Sequence, residues 1–217
     1  MAPLPRPRAI LFDWDNTLVD SFPTIHAALN AAQIAMGVTP WTLEEAHVKV
    51  RQSLRDAFPV MFGERWEEAR QIFFRAFEEV HLRELRALPG AAELLQHARD
   101  GGIYLGVVSN KTGPYLRLEA EHLGWIRHFH RVVGATDAPR DKPAPDPVHM
   151  ALDGLDIAAG PEVWFVGDTD IDLECAHHAG CLPVLVRREA PKSGEFPAFP
   201  PVLHASDLFQ LKALVNR

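Results

Sequence analysis

The chain has 217 residues, a formal net charge of −7, and 47% hydrophobic against 24% charged residues. That balance belongs to a globular protein of one large domain or two modest ones. The acidic excess argues against a nucleic-acid partner, and no apolar run reaches the length that spans a membrane.

The stretch Met1–Arg8 is rich in proline and arginine, and the apolar run after it is too short for a signal-peptide core. The two cysteines, Cys175 and Cys181, fit neither a metal cluster nor a disulfide framework, so buried free thiols are expected. Together these features predict a cytoplasmic protein.

The first predicted strand is Ala9–Phe12, a short apolar run that ends on Asp13-Trp14-Asp15-Asn16-Thr17-Leu18-Val19-Asp20. In extended chain, alternate residues point to one side. Asp13 and Asp15 therefore aim two carboxylates into one volume past the carboxyl end of the strand, where open α/β sheets bind ligands. Like charges held together are costly unless a cation or a proton is shared. Taken alone, Asp-x-Asp is equally a solvated acidic loop.

From Ser21 to Leu88 no strand is expected. Helices are predicted over Thr24–Met36, Leu43–Phe58 and Glu64–Leu85, with Ile72, Phe73, Ala76, Phe77 and Val80 at helical spacing. Phe73, Phe74 and Phe77 read as the core of this block. Pro89-Gly90 then marks the return to alternating elements. The expected organisation is an α/β core made of residues 1–20 and 89–217, with a small all-helical cap of residues 21–88 over Asp13 and Asp15. Such a lid excludes water and confers specificity; extra helices packed on the sheet edge are the alternative.

Further strands are predicted at Ile103–Val108, Arg131–Gly134, Val163–Val166 and Leu182–Val186, with an edge strand at Val202–Ala205. Between them lie helices over Ala91–Asp100, Thr112–Leu123 and Ile171–His178, each followed by glycine. Strand and helix in alternation imply a Rossmann-like parallel sheet with helices on both faces.

Three later strand ends carry polar groups. Ser109-Asn110-Lys111 offers a hydroxyl, an amide and an ammonium that suit phosphate oxygens, although the tripeptide is also a common turn. Lys142 stands among Pro143, Pro145 and Pro147, which stiffen the chain around it. In Gly167-Asp168-Thr169-Asp170-Ile171-Asp172, Asp168 and Asp172 face the strand ends if a helix begins near Asp170. Acids there also favour the helix dipole, but Asp168 lies outside that explanation. Clustered carboxylates without histidine or cysteine suit a hard cation, with Mg²⁺ the best candidate. The eleven histidines, His177-His178 and His128-x-His130 included, show no zinc spacing and read as surface or packing residues.

In order and spacing these elements resemble the four motifs of the haloacid dehalogenase superfamily, and more narrowly its phosphoglycolate phosphatase-like branch. The motifs are Asp13-x-Asp15-x-Thr17, Ser109, Lys142-Pro143 and Gly167-Asp168-x-x-x-Asp172. The resemblance runs from about residue 8 to residue 210. It implies a Mg²⁺-dependent phosphatase acting on a small phosphorylated metabolite. Asp13 would be the nucleophile that forms an aspartyl-phosphate, and Asp15 the proton donor and later the base. Asp13, the backbone carbonyl of Asp15, and Asp168 would hold Mg²⁺, with Asp172 a direct or indirect partner. Ser109, Asn110 and Lys142 would hold the phosphate, and Lys142 would pair with Asp13 or Asp168.

Asp15 points away from carbon–halogen cleavage, which has no use for a second acid. The lone lysine of the predicted cap, Lys49, gives little support to a Schiff-base phosphonate enzyme. A sugar phosphomutase, an inorganic pyrophosphatase and a non-enzymatic phosphate-ligand sensor are the competing readings. Arg51 stands where the branch usually carries glycine. Arg51 or Arg55 is expected to meet a substrate carboxylate, with solvated helix arginines as the alternative. Lys111 is expected to reach the substrate from below.

Overall fold

The computed structural model describes residues 6–215. Most of the proline-rich N-terminal stretch, Met1–Pro5, lies outside the described residues. In chain order the elements are β1 (Ala9–Phe12), β2 (Val19–Asp20), α1 (Phe22–Ala35), α2 (Leu43–Lys49), α3 (Leu54–Phe62), α4 (Trp66–Glu78), α5 (His81–Glu84) and β3 (Arg86–Ala87). There follow α6 (Ala91–Asp100), β4 (Tyr104–Thr112), α7 (Gly113–His122), β5 (Arg131–Ala135) and α8 (Asp146–Leu152). The chain continues through β6 (Val163–Gly167), α9 (Asp170–Ala179), β7 (Leu182–Val186), β8 (Leu203–Ala205) and α10 (Leu208–Val215).

Six strands form one parallel sheet in the order β5-β4-β1-β6-β7-β8. The order reverses at β1, the doubly wound arrangement in which ligands bind at the carboxyl ends beside the reversal. β1 carries apolar residues on both faces, as a central parallel strand requires. Ile10 and Phe12 pack into one layer with Leu94, Leu116 and Leu208. Ala9 and Leu11 pack into the other with Val148 and Cys175. The alternation along β1 thus feeds two cores, one beneath α6, α7 and α10 and one beneath α8 and α9.

The helical block α1–α5 has a core of its own, built on Leu29, Phe58, Phe73 and Phe77. It joins the sheet through a two-stranded stem, in which Val19 pairs with Ala87 and Asp20 with Arg86 in antiparallel register. The chain leaves and re-enters the α/β unit side by side. No helix among the described residues is long and apolar enough to cross a membrane.

Several elements depart from the sequence reading. The helix expected over Leu43–Phe58 is two helices, because Val50 and Ser53 adopt extended backbone between them. The one expected over Glu64–Leu85 breaks after Glu78, and its first turn is a short 3-10 turn, Gly63–Arg65. α8 and α10 were not anticipated. In α8 the signal was present: proline in the first turn and Val148, Ala151 and Leu152 on one buried face.

The largest departure is β4, which runs through Ser109-Asn110-Lys111 to Thr112 instead of turning at Ser109. Its register against β5 shifts between Val108 and Thr112. That bulge brings two backbones so close that a Cβ on Gly134 would overlap Gly113 and stand 2.6 Å from the Lys111 carbonyl oxygen. No rotamer relieves a backbone clash. Gly134→Ala should therefore lower stability by roughly 1–3 kcal/mol, as overpacking does. Urea denaturation measures it, and an unchanged midpoint would show that the strands do not approach this closely.

Candidate active site

The turn after β1 is set by backbone chemistry. The amides of Leu18 and Val19 donate to the Trp14 carbonyl. Asn16 takes a left-handed conformation, φ 58°, which asparagine tolerates better than most residues. Asp13 thereby stays at the strand end while Asp15 swings toward the root of the helical block.

Lys142 lies at the centre of the site. Its ammonium is buried and donates to Asp13 Oδ1 at 2.8 Å and to Asp172 Oδ1 at 2.7 Å. The partner beyond Asp13 is thus Asp172 and not Asp168. Burial opposes the charge on Lys142, but Asp13 and Asp172 outweigh it and hold its pKa above the ordinary lysine value. Asn110 fixes the backbone of Lys142, accepting from its N–H at 3.0 Å and donating to its carbonyl at 3.1 Å. The Asn110 side chain is therefore a clamp on Lys142.

Asp172 is fixed from its other side. Its Oδ2 accepts from the backbone N–H and hydroxyl of Thr169 at the start of α9. Gly167 permits this approach, because a Cβ there would overlap Asp172. Asp168 sits beside it and accepts from the Thr17 hydroxyl at 3.3 Å.

Three carboxylates share this buried space with one ammonium, and the proton affinities of Asp13 and Asp168 record the imbalance. Burial pushes the Asp13 carboxyl up to about 6; Lys142 opposes that rise, while Asp172 and Asp15 add to it. Asp168 is driven well above the carboxylate range, by burial first and then by Asp172 and Asp13. One carboxylate oxygen from each of Asp13, Asp168 and Asp172 lies within 4.8 Å of the others. An all-oxygen set with surplus negative charge fits a small hard divalent cation. The Asp15 carboxylate stands outside this group. No histidine or cysteine joins it among the described residues; Cys175 and Cys181 are buried free thiols.

Asp15 is held by its own neighbours. The Ser21 hydroxyl donates to Oδ1, and the Lys111 ammonium reaches the same oxygen at 2.8 Å. Lys111 lines the cavity between the sheet and the helical block, while its ammonium turns to protein carboxylates. It is buried and also donates to both oxygens of Glu119 at 2.9 Å. Ser109 is buried, its hydroxyl accepting from the Lys111 amide at 3.2 Å.

These residues open onto a cavity of about 500 Å³ between the sheet and the helical block. Asp13, Asp15, Ser109, Lys142 and Asp168 form its floor, and Phe22, His47, Val50, Arg51 and Tyr115 contribute to its walls. Of the two candidate arginines only Arg51 lines this space. Its Nε pairs with the exposed Asp170 at 3.0 Å, and its carbonyl accepts from Asn110. Arg55 faces a separate groove, where it pairs at 2.8 Å with the buried Asp141.

A strand-end carboxylate with a second one two residues on, a buried ammonium and an acid cluster that fits a hard cation are the groups that phosphoryl transfer uses. The comparisons with known proteins agree. Residues 10–186 match the family model described as haloacid dehalogenase-like hydrolase. The chain belongs to that family. It is an enzyme of the phosphatase type. A phosphoglycolate phosphatase of Xanthomonas campestris is 31% identical over 178 residues, 80% of each chain. One from Rhodobacter capsulatus is 28% identical over 213 residues, covering 95% of this chain and 94% of its own. A haloacid dehalogenase-like hydrolase from Bacteroides fragilis shares the fold with a TM-score of 0.85 at 24% identity, over 94% of this chain and 99% of that one.

Sequence reasoning missed Ser21 and Glu119 as parts of the site, and it placed Thr17 in the first motif without a partner. Glu119 carried a faint signal: it follows Leu116 by three and precedes Ala120, on the buried side of α7.

Removing Lys142 would leave the carboxylates facing each other in a buried space. Lys142→Ala should cost about 3–5 kcal/mol in metal-free protein, as breaking a buried pair does. Equal urea midpoints for variant and wild type would contradict the assignment.

Proposed function

We propose that the protein is a Mg²⁺-dependent phosphatase of small phosphate monoesters, acting through a phosphorylated Asp13. The observation that carries this is the convergence of Asp13, Ser109, Lys142 and Asp168 on the floor of one cavity, with Asp15 beside them.

The chain's own groups would act as follows. Ser109, the backbone of Asn110 and Lys142 hold the transferring oxygens. An Asp13 oxygen bonds to phosphorus as the ester P–O bond breaks, and Asp15 gives its proton to the departing oxygen. The alcohol leaves, water attacks phosphorus, and its proton goes to Asp15. Free phosphate and Asp13 are regenerated. Asp13 and Asp168, with Asp172 oriented by Lys142 and Thr169, would hold the cation. When bound, it neutralises charge so that carboxylate and phosphate can approach each other.

In this reading residues 21–88 form a cap over a core of residues 1–20 and 89–217. The cap closes the cavity and Arg51 reads the substrate. The exposed Asp170 partner makes the Arg51 pair weak and exchangeable for a substrate carboxylate. The named relatives favour an ester of the phosphoglycolate kind.

Phosphate release from a panel of phosphoglycolate, sugar phosphates, nucleotides and pyrophosphate tests the proposal. Turnover should require Mg²⁺, stop on chelation, and fall at least about a thousandfold in Asp13→Asn. Metal-independent turnover, or an active Asp13→Asn protein, would overturn it.

A further inference from the structure

Glu119 is fully buried in α7 and does not line the cavity. A carboxylate taken out of water is costly unless its oxygens are satisfied. This one is satisfied completely. Trp14 Nε1 donates to Oε2 at 2.7 Å, and His81 Nδ1 lies 3.1 Å from Oε1, a bond that His81 donates with its proton on Nδ1. Lys111 Nζ meets both oxygens at 2.9 Å. The proposed mechanism gives this network no role.

Its connections supply one. An ammonium has three donors. Lys111 places two on Glu119 and the third on Asp15 Oδ1 at 2.8 Å. The Ser21 hydroxyl donates to the same Asp15 oxygen. Oδ1 is thereby pinned from two sides, which fixes the rotation of the carboxylate and leaves Oδ2 for a leaving group. Lysine is long and flexible, so its ammonium stays on Asp15 only while something holds it there. Glu119 does so, anchored by Trp14 within the Asp-x-Asp turn and by His81 at the root of the helical block.

We infer that Glu119 and Lys111 are positioning residues for Asp15, fixing the carboxylate in the orientation that delivers a proton to the leaving oxygen. The inference rests on the reading of Asp15 as the acid of ester hydrolysis. It predicts a loss that depends on the leaving group. An alkoxide departs badly without a proton, whereas a p-nitrophenolate departs well without one. Misplacing the acid therefore penalises alkyl esters selectively.

The test compares kcat/KM for p-nitrophenyl phosphate and for the alkyl ester of the panel that the enzyme cleaves fastest. kcat/KM reports the step in which the leaving group departs. In Glu119→Gln the alkyl value should fall about 10- to 100-fold and the aryl value by less than about threefold. Inhibition by orthophosphate should be unchanged, and Glu119→Asp should recover part of the alkyl rate. If Glu119→Gln does not fold, the variant carrying Lys111→Met and Glu119→Gln, which removes both members of the buried Lys111–Glu119 pair, should show the same selective loss. Equal losses on both esters, or no loss on either, would overturn the positioning role while leaving the phosphatase reading intact. A wild-type protein that cleaves neither ester would overturn both.

Discussion

The site depends on one buried ammonium. Lys142 joins the end of β1, through Asp13, to the first turn of α9, through Asp172. Two carboxylates are held at hydrogen-bonding distance from the same nitrogen, which sets their separation without letting them touch. The rest of the local structure protects that arrangement. Asn110 on β4 grips the backbone of Lys142, Thr169 grips the far oxygen of Asp172, and Gly167 vacates the space that Asp172 enters. Three strands, one helix and the loop that carries Lys142 thus converge on this site. The doubly wound order is what brings β4 and β6 to either side of β1.

A second cation, Lys111, organises a separate acid. Asp13 and Asp15 each meet a different lysine. Asp13 shares Lys142 with Asp172 and faces the cation-binding set; Asp15 shares Lys111 with Glu119 and faces the helical block. Two carboxylates two residues apart are thereby placed in different electrostatic surroundings. The helical block completes the site from above. Ion pairs at Arg51 and Arg55 and the Asn110 bond to the Arg51 carbonyl tie it to the sheet.

Much of this was legible in the sequence. Buried parallel strands read as apolar runs, and Ala9–Phe12 and Val163–Val166 are clear examples. The acids at their ends fall at the loop positions where such sheets bind ligands. What the sequence hid was partnership. Nothing local in Asn110 says that it spans to Lys142, because that bond links residues far apart in the chain. Lys111 is expected to reach the substrate from below, and no local signal marks its bonds to Glu119 in α7. The cap helices were misjudged at their ends for a similar reason. Val50 and Ser53 adopt extended backbone although no glycine or proline stands beside them.

The central claim is that Asp13, positioned by Lys142, accepts the phosphoryl group. The most direct measurement is to quench the enzyme during turnover of a cleaved ester, reduce the acyl phosphate with borohydride, and locate the modified residue by mass spectrometry. The account predicts reduction at Asp13 alone, dependent on substrate. Turnover with no modification at Asp13, or with the modification at another carboxylate, would contradict it.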